Sequence, residues 1–119
     1  MRSNPPLNYV RTLRRRWALT QKELAALVGI ESRSGISRIE QGERLPSLEA
    51  ALALEVLFGV APNTMFPHAY AETEEAVMVV AAGIHEGSIH STNPREKRKC
   101  ALLEDALARA TRPAGIASV

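Results

Sequence analysis

Apolar positions along this chain recur at helical spacing. Leu7, Val10, Leu13 and Trp17 stand three or four apart through LNYVRTLRRRW and predict a first helix from about Leu7 to Arg16, with Trp17 as a plug in its core face. In LTQKELAALVG the stripe is Leu24, Leu27 and Val28; Thr20 and Glu23 flank its start as a reciprocal capping box, and Gly29 is its stop. Ser32 then suits an N-cap, Ile36 and Ile39 face inward, and Gly42 ends a third short helix over 33–41, joined to the second by GIE. Ser47 caps PSLEAALALEVLF, which Gly59 terminates, and a single turn at Pro62 to Met65 closes a five-helix unit.

Beyond Pro67 the pattern is less decisive. Residues 69–85 read as a helix with Glu72, Glu74 and Glu75 in its first turn, although AVMVVAA at 76–82 also fits a buried strand. HEGSIHST reads as a loop. NPREKRKCALLEDALARA has Asn93 as cap, Pro94 at the first helical position and Glu96 three after the cap, so a last helix is expected over 94–110, with Cys100, Leu103, Leu107 and Ala110 as its apolar stripe.

Composition narrows the fold class. Of 119 residues 45% are hydrophobic but only 4% aromatic, so burial rests on Leu, Val, Ile and Ala, which favours an all-α fold. The net charge of +2 hides an asymmetry: Arg2, Arg11, Arg14, Arg15, Arg16 and Lys22 precede the first acidic residue, whereas from Pro67 onward six Lys or Arg meet seven acids. The N-terminal part is thus suited to a polyanion and the remainder to packing or self-association. One cysteine excludes an internal disulfide framework, no apolar run approaches the roughly 20 residues of a membrane span, and MRSNPPLNYV lacks the apolar middle of a signal peptide. A cytoplasmic protein with no membrane association is expected, with flexible ends at 1–6 and 111–119.

Two short helices joined by a glycine turn form a helix-turn-helix. The outer face of the second carries Arg33, Ser34, Ser37 and Arg38; arginine forks onto guanine O6 and N7, and serine bonds several bases. The helix before it offers free N–H groups beside Thr20, Gln21 and Lys22 as a phosphate anchor. Arg14, Arg15 and Arg16 fit either a solvated face or a phosphate grip. No Ser, His and Asp are placed as a catalytic set and no glycine-rich phosphate loop occurs, so no enzyme and no cofactor are expected. His85, His90 and Cys100 match no standard zinc spacing, so no metal site is expected, and Cys100 reads as a small buried hydrophobe.

LTQKELAALVGI followed by SRSGISRIEQGERLPSLEAALALEVLFGV resembles the DNA-binding domain of phage-repressor-like regulators, the Cro and cI type of the xenobiotic-response-element family. The resemblance covers residues 7–66. It implies a five-helix lambda-repressor-like domain that binds operator DNA in the major groove as a two-fold dimer. By position, Gln21 would clamp a phosphate, Arg33, Ser34, Ser37 and Arg38 would face bases, and Gln41 and Arg44 would return to the backbone. Arg14 and Glu40 align with a pair that often bridges the first and third helices in that family. One departure is Glu31, an extra residue that puts the cap serine third after the glycine instead of second.

A sequence-specific transcriptional regulator follows, most simply a repressor. The two-helix extension at 67–110 is expected to form a homodimer through Val77, Val80, Leu103 and Leu107. The alternative is an antitoxin-type or scaffold protein that uses the same extension to bind another protein.

Overall fold

The computed structural model describes residues 7–110, and the expected flexible ends lie outside the described residues. Among the described residues every regular element is a helix: α1 Val10–Arg16, α2 Gln21–Val28, α3 Arg33–Glu40, α4 Leu48–Phe58, α5 Pro62–Met65, α6 Pro67–Ser88 and α7 Pro94–Ala110. The chain divides into two compact units, Met1–Tyr70 and Ala71–Val119.

In the first unit the local signals do most of the placing. Thr20 Oγ1 accepts from Glu23 N while Glu23 Oε1 accepts from Thr20 N, each at 2.9 Å, so the capping box is closed in both directions. Gly29 ends α2 at φ +77° and Gly59 ends α4 at φ +70°, left-handed conformations that a side chain would strain. Ser47 Oγ accepts from Ala50 N at the head of α4. The core is Val10 and Leu13 from α1, Leu24, Ala25 and Val28 from α2, Ile36 and Ile39 from α3, and Leu54, Met65 and Phe66.

Three expectations for this unit need correction. The first helix begins at Val10 and not at Leu7. Asn8 is the cause: its Oδ1 accepts from Val10 N and its Nδ2 donates to Ile39 O at 2.8 Å, a buried side chain-to-backbone pattern that competes with a further helical turn. Trp17 does not plug the core. It is the residue that ends α1, the chain reverses at Ala18 with φ +59°, and the indole is left 65% exposed. Leu27, assigned to the inward stripe, is likewise exposed, and Leu48, Leu52 and Val56, spaced four apart, stand exposed along α4.

In the second unit AVMVVAA is helical. Because α6 starts at Pro67, its first turn holds no acidic residue, and Glu72, Glu74 and Glu75 fall further in. The helix also runs through half of the segment expected to be a loop. Ser88 Oγ shares its one proton between the carbonyls of Ile84 and His85 in the final turn. At α7, Asn93 Oδ1 accepts from Arg95 N at 2.8 Å, but Glu96 pairs forward with Lys99 and does not close a reciprocal box. Only Ala81 and Ser88 of α6 are buried and none of α7; Cys100, Leu103, Leu107 and Ala110 are half-buried. Val77, Val79 and Val80 remain more than half exposed. The apolar content of this unit is thus largely uncovered.

Candidate nucleic-acid interface

Glu40, the last residue of α3, organises the three helices that would meet DNA. Its side chain has no exposure and accepts from Arg14 Nε at 2.6 Å and Arg14 Nη2 at 3.2 Å, from Gln21 Nε2 at 3.2 Å and from Arg11 Nε at 3.4 Å. Arg14 Nη1 donates onward to Leu19 O at 3.0 Å. Burial alone would push the Glu40 carboxyl up, but these hydrogen bonds and the Arg14 charge outweigh it and hold the carboxyl below its ordinary range. Arg14 and Glu40 are therefore brought together as a bidentate pair. Gln21 is fixed by the same carboxylate at the first position of α2.

Around that point lies a cleft of about 460 Å³ lined by Arg14, Arg15, Leu19, Thr20, Gln21, Lys22 and Arg33. With Arg14 neutralised by Glu40, the cleft keeps three cations and no acid. The N–H groups of the first helical residues have no partner within α2 by construction, so positive charge and backbone donors converge on one place. Thr20 Oγ1 accepts from Glu23 N in the cap, which leaves its O–H able to donate to a phosphate.

The outer face of α3 is polar along its length. Arg33, Ser34 and Arg38 are exposed, and Ser37 is half-buried with its Oγ accepting from Gln41 Nε2 at 3.1 Å. Ser32 stands at the cap position, yet its hydroxyl bonds Ser34 Oγ at 2.8 Å instead of a helix N–H. Gly35 points inward. A Cβ there would lie 2.7 Å from Ile30 Cγ2, so the glycine is required by the turn packed beneath it and not by a ligand outside.

The turn between α2 and α3 is anchored at Ile30. Ile30 N donates to Ala25 O at 2.9 Å and its side chain packs on the core, while Glu31 is exposed. A second cleft at this end, of about 380 Å³, has Glu31, Ser32, Ser34, Arg38 and Arg44 in its lining. Here one carboxylate faces two guanidiniums.

Residues 10–64 match a family model described as helix-turn-helix. They are a helix-turn-helix domain of the Cro and cI type. No curated protein and no solved structure matches the chain. The helix-turn-helix domain is that of DNA-binding transcription regulators. No helix among the described residues is long and apolar enough to cross a membrane.

Some residues that shape this domain do not stand out in the sequence. Arg11 shares the Glu40 carboxylate, and the signal for it was present, because Arg11 and Arg14 are three apart on one face of α1. Asn8 ties the α1 entry to the end of α3 through a bond that spans 31 residues and has no local cue. An apolar recess lined by Trp17, Leu19, Leu27, Leu57 and Phe58 had no such cue.

Proposed function

We propose that the protein is a repressor that acts in the cytoplasm by binding a two-fold operator in double-stranded DNA as a homodimer. The observation that carries this reading is the exposed row of Arg33, Ser34 and Arg38 on α3 beside the cationic cleft at the head of α2. In it, α3 enters the major groove, Arg33 and Arg38 fork onto guanine edges, and Ser34 and Ser37 bond neighbouring bases. Thr20, Gln21 and Lys22 present the α2 N-terminus to one phosphate, and Gln41 and Arg44 approach the strand at the other end. Glu40 and Arg14 hold the frame and do not touch DNA.

Dimerisation is assigned to residues 67–110. It is supported by the exposure of Val77 and Val80 in a unit that buries so little of its own apolar surface and leaves Leu103 and Leu107 of α7 half-buried. Selection from a random duplex library is expected to return two inverted half-sites about 34–36 Å apart or a multiple of that spacing. Sedimentation of the full chain should show dimers at micromolar concentration that Val80→Glu dissociates and Leu52→Glu, on the exposed row of α4, does not. A monomer with and without the selected DNA would contradict the dimer and leave the extension to a different protein, as in an antitoxin or scaffold. Dissociation by Leu52→Glu alone would move the seam to α4.

A further inference from the structure

We propose that His85, Cys100 and Glu104 form a binding site for a divalent transition-metal ion, with Zn²⁺ the best match to their chemistry. His85 comes from α6, and Cys100 and Glu104 lie four apart on one face of α7. His85 Nε2 is 3.0 Å from Glu104 Oε2, Cys100 Sγ is 3.6 Å from the same oxygen, and all three ligand atoms lie within 4.8 Å of one another. Zinc bonds of about 2.0–2.1 Å to nitrogen or oxygen and about 2.3 Å to sulfur put tetrahedral N and O ligands about 3.4 Å apart and S and O ligands about 3.6 Å apart. The two pairs that share Glu104 are thus near coordination spacing, and His85 and Cys100, which lie within 4.8 Å of each other, close the remaining gap by side-chain rotation when an ion enters.

The donor set selects the metal. One thiolate, one imidazole and one carboxylate suit Zn²⁺, whereas Mg²⁺ and Ca²⁺ prefer oxygen alone. The imidazole is mostly sheltered, at 17% exposed, while Glu104 at 58% leaves an approach from solvent. Ser88, buried and fixed by the carbonyls of Ile84 and His85, holds the last turn of α6 in shape beside the cluster. On binding, the Cys100 thiol proton leaves to solvent, Nε2 and the carboxylate each give a lone pair, and a water completes four-coordination. Three protein ligands with one exchangeable position make a site that fills and empties with the available metal. The ion would join α6 to α7 in a unit that buries few side chains, so occupancy stabilises that helix pair by mass action. The sequence spacing of His85, His90 and Cys100 led to no expected metal site; the fold instead groups Glu104, one helical turn from Cys100, with His85 and Cys100.

Titration of the reduced full chain with Co²⁺ as spectroscopic probe tests this directly. One equivalent should bind with a near-ultraviolet thiolate-to-cobalt charge-transfer band and visible bands of tetrahedral intensity, and Zn²⁺ should displace it. Cys100→Ser should remove the charge-transfer band. His85→Ala and Glu104→Gln, with helicity unchanged by circular dichroism, should each weaken Co²⁺ by more than the roughly 10- to 100-fold that loss of an outer-shell partner costs. Absence of the charge-transfer band in the wild-type chain would overturn the site. So would undiminished binding in both His85→Ala and Glu104→Gln.

Discussion

Replacing Glu40 with alanine is expected to destabilise the helix-turn-helix domain by about 3–5 kcal/mol, the usual cost of removing one member of a buried ion pair. For a domain of this size that lowers Tm by on the order of 10–40 °C. The size of the effect comes from what remains behind. Arg14 is only 11% exposed at its side chain and would keep a single acceptor, Leu19 O, for a full positive charge. Arg11, at 47% exposed, stays hydrated and adds little. The double variant Arg14→Ala, Glu40→Ala should therefore lose less than the two single losses combined, which a double-mutant cycle in urea will show. A sum of independent effects would mean that the pair does not hold the frame.

The same carboxylate predicts an acid limb in the stability curve. Its folded pKa lies below the ordinary 4.5, so its contribution is complete above the unfolded value and is lost as pH falls through the folded one. Glu40→Gln, which cannot ionise, should have a flatter profile over that acidic interval.

The second large effect is on DNA affinity, which should fall by roughly 10³ to 10⁵ between 50 and 200 mM salt if a dimer neutralises 6 to 10 phosphates. Arg15, Lys22, Arg33, Arg38 and Arg44 line the two clefts of the interface, and a two-fold dimer presents each of them twice. Arg14 is left out of that set because Glu40 already holds it. Fluorescence anisotropy over a salt series gives the slope of log affinity against log salt, and Lys22→Ala should reduce its magnitude by about one for each phosphate that the lysine no longer neutralises. Weak binding that is flat across the salt range would contradict an electrostatic interface.

What could be read from the sequence follows the range of the forces involved. Caps and stops act within one turn, so Thr20 with Glu23, Gly29, Ser47 and Gly59 marked α2 and α4 without knowledge of the rest. The polar outer face of α3 was equally visible, because Ile36 and Ile39 fix which side turns inward. Asn8 was not legible as a cap, since half of its bonding goes to Ile39, 31 residues away. Trp17 has the right spacing for the core, but its position depends on the left-handed turn at Ala18, which nothing local announces. His85 and Glu104 are 19 residues apart, and only the extension of α6 through Ser88 brings them together.

In the proposed function α3 reads bases while the head of α2 holds the backbone. The most direct measurement compares Arg38→Ala and Gln21→Ala on the selected operator and on every single-base variant of it. Arg38→Ala should cost about 1–3 kcal/mol on the operator and erase the preference at one position of each half-site, whereas Gln21→Ala should weaken binding to all the sequences by a similar factor. The reverse pattern, with base preference lost on changing Gln21 and a uniform loss on changing Arg38, would contradict the assignment of α3 as the recognition helix.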